Sequence, residues 1–578
     1  MRHGADAAGP VARVLPAVVV LALLFACLPG PPAGPAPQAA FSVAEATIAE
    51  MQTAMAQGRV TSRGLVAQYL NRIARYEGTL NAVMTINPRA LDEARRLDEE
   101  RRAGRVRGPL HGIPIALKDN IHTTDLPTTG GALAFDGFRP PYDATLVTHL
   151  RVAGAVVLAK TVHTELANWV ASGMPGNYSA LGGYGLNPYD PRPDPRDGWN
   201  DGRPVLGVGG SSSGIGTAAS LWAASVGTET SGSILTPSNA TMLVGIKPTV
   251  GRISRYGIMP ITADQDTAGP MARTVADAAV LLGVLEGASP DPRDPVTATC
   301  PRPPGGDYTP HLREDGLRGA RIGVPRAYYY EALVVPGEST PSGGLTEAQS
   351  AVMAAAIEVL RRQGAEIVDP ADVPSVVAPR RDENILAWDI CAGLENRKGA
   401  DAGCSVVLKY GMKRDFTAYV HTLGAGAPVT SLAALRAFNL ANRGRNAIRY
   451  GQAQLDISDE MDVERDRARY EADRARDLRL AGTQGIDAAI AAHRLDALLF
   501  PGSSGAGLAA RPGYPSVIVP FGTVPNAPRP PLPADFAARP APFGVTFTGA
   551  ACSEPRLIEL AYAFEQATKG RVAPELFP

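Results

Sequence analysis

The chain has 578 residues, 56 basic and 57 acidic side chains, and 45% hydrophobic residues. That length buries a large core, as one big α/β domain or two ordinary ones. The nearly balanced charge leaves no electrostatic footprint for nucleic acid or for an anionic membrane surface, so neither is an expected partner.

The N-terminus differs in kind from the rest. Arg2 and Arg13 precede an almost unbroken apolar run, Val14 to Ala26. The run is short for a bilayer span and fits the apolar region of a secretory signal. Leu24-Phe25-Ala26-Cys27 is similar to a bacterial lipobox, in which Cys27 would carry the lipid; cleavage before Phe41 is the alternative. Residues 1–27 therefore read as an export signal, with Cys27 as the one candidate membrane attachment. Residues 28–41, rich in Pro, Ala and Gly, read as a tether, and 42–578 as the folded domain. The expected location is secreted or attached to the cell envelope.

Within the domain, helical spacing runs through Ile48, Met51 and Met55, then through Leu65, Tyr69 and Ile73. A short apolar strand from Gly112 ends on Lys118, and another, Ala155 to Ala159, ends on Lys160, which reads as a surface lysine. Residues 187–204 read as a turn-rich loop, Val244 to Lys247 as a buried strand, and Ala272 to Leu285 as a helix. Arg321 to Val324 reads as a strand, and Thr346 with Gln349 as the capping box of a helix that stops before Gly364. Residues 371–480 read as mainly helical, with the charge-dense run Asp459 to Arg479 on a solvated face. Leu495–Phe500, Ser516–Val519 and Val545–Phe547 read as strands, and Ser553 with Pro555 as the start of a last helix. Alternating strands and helices predict a sheet-centred α/β fold.

Four cysteines follow Cys27: Cys300, Cys391, Cys404 and Cys552. An even number in an exported chain permits two disulfides, and Cys391 with Cys404 is the pair nearest in sequence. Small buried thiols are the alternative. No pair has CxxC spacing, and the histidines, His111, His122 and His163 among them, show no HExxH spacing. Neither a metal nor an organic cofactor is expected, and the histidines read as core or surface residues.

The densest chemical signal lies between Gly209 and Ser233, where the triplet Ser211, Ser212, Ser213 is flanked by glycines and Ser233 follows Gly232. Small residues in series cost backbone entropy, yet they let N–H groups and a hydroxyl approach a ligand closely. One reading takes Gly210-Ser211-Ser212-Ser213-Gly214 as a nucleophile elbow with Ser212 as an esterase nucleophile, which needs one of His311, His421 or His493. Another joins Lys118, Ser211 and Ser233. A lysine buried beside Ile115 and Leu117 can act as a base, and a second serine can relay the proton. A third is a non-catalytic exported binding protein.

The motifs HGIPIALKDNI (111–121), GGSSSG (209–214), GTETSGSI (227–234), GIKPTVGRISRYGIMPI (245–261) and DQDTAGPMARTVADA (264–278) occur in that order. GIDAAI, GYPSVIVP and SEPRLIELAYAFEQAT continue the pattern to residue 568. In this combination the chain resembles the amidase signature family, and within it the peptide-amidase-like branch. The resemblance implies one large domain, a mixed sheet between helices, with 371–480 shaping the substrate cleft. It implies a Ser–cis-Ser–Lys triad: Lys118 as general base, Ser211 as the relay with a cis peptide, and Ser233 as the nucleophile that forms an acyl-enzyme. The N–H groups of Thr230, Ser231, Gly232 and Ser233 would form the oxyanion hole, and the substrate would be a small-molecule or peptide amide that releases ammonia or an amine. The stretch between the serine triplet and Gly227 is shorter than the family's usual spacing. Ser231 and Leu235 also replace residues common in relatives, beside the expected acyl pocket.

Overall fold

The structure, a computed structural model, describes residues 41–210, 213–393 and 403–578. The proposed signal, most of the tether, Cys27, Ser211 and Ser212 lie outside the described residues. Eleven strands form one sheet: β1 (Val83–Ile86), β2 (Pro114–Lys118), β3 (Val156–Thr161), β4 (Ala224–Glu229), β5 (Val244–Lys247), β6 (Thr267–Ala272), β7 (Arg321–Gly323), β8 (Glu366–Val368), β9 (Ala497–Pro501), β10 (Ser516–Val524) and β11 (Ala541–Thr548). Their order is β1-β3-β2-β4-β6-β5-β10-β11-β9-β7-β8. β2 runs parallel to both β3 and β4, whereas β4, β6, β5, β10 and β11 alternate in direction. The sheet is mixed and flanked by helices, and the chain is a single large α/β domain.

β2, β3 and β4 are buried along their whole length. This is why they occur in sequence as unbroken apolar runs rather than as alternating ones. Ala272, expected to open a helix, instead closes β6, and the helix begins only at Val275. Thr274 caps it, its hydroxyl accepting from Asp277 N at 3.1 Å. The capping box of Thr346 and Gln349 forms as expected. The last helix, Glu554–Thr568, starts where expected, but the Ser553 hydroxyl donates to Ala550 O instead of capping it.

The region 371–480 is mainly helical, with helices Val407–Thr422, Leu432–Ala441, Ala453–Asp459 and Arg467–Asp477. These helices pack their apolar faces on Phe135, Trp169 and Met259, forming a second core beside the sheet. The charge-dense run is not simply a solvated face. Asp473 and Asp477 are buried, and Asp477 accepts from Trp388 Nε1 (2.9 Å), Ser405 Oγ (2.8 Å) and Arg511 Nη1 (2.5 Å). The four cysteines among the described residues are paired, Cys391 with Cys404 and Cys300 with Cys552. The second bridge spans 252 residues, so it removes much freedom from the unfolded chain. Among the described residues no helix is long and apolar enough to cross a membrane.

Arg252 ties the sheet to two helices. Its guanidinium, fully buried, meets Glu286 at 3.0 Å and Glu554 at 2.7 Å, and Tyr308 Oη donates to Glu286. Arg252→Met removes the buried cation that Glu554 and Glu286 share and is expected to cost about 3–5 kcal/mol. Urea unfolding measures this, and a loss below about 1 kcal/mol would show that the cluster adds nothing beyond a surface pair.

Candidate active site

Lys118 ends β2 and Thr228 lies near the end of β4, the neighbouring parallel strand. The Lys118 ammonium, wholly buried, donates to Thr228 O at 3.0 Å. Asn120 Nδ2 donates to Thr228 Oγ1 at 3.0 Å, so two residues at the end of β2 hold the end of β4. Burial lowers the Lys118 pKa to about 7 against the opposing pull of Asp266 and Glu229. A populated neutral amine at neutral pH is what a lysine base requires.

The turn after β4 carries Thr230, Ser231, Gly232 and Ser233. Gly232 has φ +91°, a conformation that glycine adopts without strain. The Glu229 carboxylate accepts from the next two N–H groups, Ile234 (2.7 Å) and Leu235 (3.0 Å). By contrast, the N–H groups of Thr230 through Ser233 donate no hydrogen bond among the described residues. Thr230 and Ser233 are nevertheless buried. A buried N–H group left without an acceptor is costly in a finished fold.

The other side of Thr230 is pinned. Its hydroxyl donates to Asp266 Oδ1 at 2.5 Å, and Gln265 Nε2 donates to Thr230 O at 3.2 Å. Asp266 also accepts from Ile261 N and Thr262 N. Burial pushes its carboxyl up to about 7 despite those bonds. Sequence reasoning assigns no role to Asp266, Gln265, Asn120 or Glu229. The signal that could have found them is their place inside the matched motifs, next to Lys118 or to the nucleophile turn.

The serine loop reaches this turn. A Cβ on Gly210 would collide with Ser233 Oγ, so only glycine allows the loop so close. Beyond the triplet's first two members, Ser213 Oγ pairs with Thr161 Oγ1 of β3 at 2.8 Å, and Ser213 O accepts from Thr217 Oγ1 and Ser225 Oγ. Lys118 is thus bonded to the strand that leads into the turn carrying Ser233, and Gly210 lies against Ser233. Ser211 and Ser212, and with them the relay and the esterase nucleophile, lie outside the described residues. Of the histidines required by the esterase reading, His311 bonds Glu559 and His421 is exposed. His111, His122 and His163 are buried core residues as expected.

Lys160 is not a surface lysine. It is fully buried, 3.1 Å from Asp119 Oδ1, and donates to Thr128 Oγ1 (2.7 Å) and Pro127 O (3.1 Å). Ser231 is exposed, whereas Leu235 is buried against Ala506 and Ile518. Thr228, Thr230, Asn120 and Asp266 border a cavity of about 280 Å³.

The family model described as Amidase matches residues 64–558, and the chain belongs to that family of amide C–N hydrolases. The solved structure of native peptide amidase from Stenotrophomonas maltophilia is 40% identical, with a TM-score of 0.76, covering 92% of this chain and 98% of that one. The crystal structure of an amidase family protein from Bacillus anthracis is 31% identical, with a TM-score of 0.75, covering 92% of this chain and 93% of that one. A probable amidase of Arabidopsis thaliana is 34% identical over 542 residues, 93% of this chain and 92% of that protein. The chain is an amide-hydrolysing enzyme, similar to peptide amidase over nearly its full length.

A base that must be neutral makes activity rise with pH. With Lys118 titrating at about 7, kcat/KM for an amide is expected to climb through a midpoint near that value. A profile from pH 5 to 11 tests this; a midpoint near the ordinary lysine pKa, or a flat profile, would remove Lys118 as the base.

Proposed function

We propose that this protein is an exported amidase that hydrolyses carboxamides, C-terminal peptide amides among them, through an acyl-enzyme. The observation that carries the reading is the turn Thr230–Ser233, which joins unused N–H groups to a buried serine. A buried lysine is hydrogen-bonded to the strand that leads into that turn. Lys118, through Ser211 as relay, takes the Ser233 proton, and the hydroxyl oxygen attacks the amide carbon. The carbonyl oxygen, now negative, is received by the N–H groups of Thr230 to Ser233. The proton passes to the nitrogen, which departs, and water then cleaves the ester and restores Ser233. Likeness to a peptide amidase at 40% identity supports peptide amides as the substrate class.

Export is supported by the basic-then-apolar N-terminus and by two disulfides, which persist in oxidising compartments. Cys27 is proposed as the lipidated residue; mass spectrometry of the mature N-terminus distinguishes lipidation there from cleavage before Phe41.

Ser233→Ala is expected to lower ammonia release from C-terminal peptide amides by about 10⁴-fold or more while leaving the fold intact. Ammonia assay of a panel of peptide, aliphatic, aryl and fatty amides measures it. Undiminished release by the variant would assign the nucleophile elsewhere.

A further inference from the structure

What pins Thr230 is itself a small closed turn, residues 261–266, which precedes β6. Inside it, Gln265 N and Asp266 N donate to Thr262 O at 3.3 and 3.0 Å. The Asp266 carboxylate accepts in return from Ile261 N (2.8 Å) and Thr262 N (2.9 Å), and Thr262 Oγ1 donates to Asp264 Oδ2 at 3.0 Å. These bonds tie the two ends of the turn together, so it moves as one piece. Asp266 Oδ1 and Gln265 Nε2 are the atoms by which it grips Thr230.

The same turn is held by two helices of region 371–480, and Asp264 is the centre of that contact. Tyr470 Oη donates to its carboxylate at 2.9 Å, Arg414 Nη2 donates to it at 3.0 Å, and Arg474 Nη2 donates to Asp264 O at 3.1 Å. Beside it, Asp415 accepts from Ala263 N at 2.7 Å. The helix Val407–Thr422 comes so close that a Cβ on Gly411 would collide with Thr262. Tyr470 stacks on Tyr410 with ring centroids 4.2 Å apart, which orients its hydroxyl. The Arg414–Asp264 pair is partly open to solvent, and such pairs add little to stability. Its removal therefore tells on the placement of the turn more than on folding. A small misplacement of a group that must meet the transition state is costly to rate.

We propose that Asp264 is a positioning residue for the reaction at Ser233: it fastens the turn that aligns Thr230 to the helices of region 371–480. This rests on the amidase reading. Asp264 acts only through Asp266 and Thr230, so its loss lowers kcat by loosening an oxyanion donor and leaves KM as it was. The helical region then does more than border the substrate, because two of its helices hold the donor turn in register.

The test is a double-mutant cycle on ammonia release from a C-terminal peptide amide, with kcat and KM measured for the wild type, Asp264→Ala, Thr230→Val and the double variant. Thr230→Val keeps the N–H and removes the hydroxyl that Asp266 holds. Each single variant is expected to lower kcat by about tenfold with KM within about twofold. The double variant is expected to lose about tenfold rather than about 100-fold, because the route from Asp264 is already cut at Thr230. Tyr470→Phe removes one donor to Asp264 and keeps the ring stack. It is expected to lower kcat by about threefold alone and to have no further effect beside Thr230→Val. Urea unfolding shows whether Asp264→Ala is folded; if it is not, Tyr470→Phe takes its place in the cycle. Losses that multiply in the double variant would overturn the proposal. So would a raised KM with kcat unchanged, or a kcat for Asp264→Ala within about twofold of the wild type. No release by the wild type would instead overturn the amidase reading and carry this proposal down with it.

Discussion

The site depends on keeping an amine out of water without giving it a carboxylate to bind. Lys118 and Lys160 make the contrast, since both lie at the ends of adjacent, fully buried parallel strands. Lys160 meets Asp119 at 3.1 Å and is an ion-paired structural element. Lys118 meets a carbonyl, Thr228 O, and the carboxylates of Asp266 and Glu229 act on it only through the field. Burial disfavours the ammonium, and distant opposite charges restore only part of the loss. The result is a lysine whose pKa burial lowers to about 7, held in place by a bond to a carbonyl rather than to a carboxylate.

The turn beside it follows the same logic for hydrogen bonds. A helix beginning at Leu235 has early N–H groups that need an acceptor, and Glu229 supplies it from the preceding strand. With those donors satisfied, the four N–H groups before them donate no hydrogen bond among the described residues. Asp266 and Gln265 fix Thr230 from the far side, so in the proposed reaction the donors would be oriented before substrate arrives. Donors already in place gain more from a developing negative charge than donors that must reorganise to meet it.

Much of this is legible in the sequence, for reasons that differ from one element to the next. β2, β3 and β5 are apolar runs bounded by turn residues, and these can be read directly. β6, Thr267–Ala272, contains Gly269 and Pro270 and carries no local strand signal; it is a strand because β4 and β5 pair with it. β5 pairs only with Met271 and Ala272, so proline at 270 breaks no ladder on that side. Lys160 looks like a surface lysine because its partner, Asp119, follows another strand, and pairing across a sheet leaves no mark in local sequence. Asp473 and Asp477 look solvated for a similar reason: the groups that bury Asp477, Trp388, Ser405 and Arg511, come from distant segments. Motif order, by contrast, carries Lys118, Ser233 and the turn between them without any knowledge of contacts.

The stretch between the serines and β4 is short and closely packed. The helix Ser213–Ala218 has only six residues, and the chain reverses at Ser220, whose φ is +51°. Trp222, fully buried, then folds its ring back over Gly216, where a Cβ would strike it, and donates from Nε1 to Thr217 Oγ1 at 2.8 Å. One large side chain thus packs against this short helix, and Thr217 joins it to Ser225 on β4 at 2.7 Å. β4 also carries Thr228 and leads into Ser233, so this packing and the turn share one strand. Gly210 still lies against Ser233, which is the contact that a misaligned serine loop would lose first.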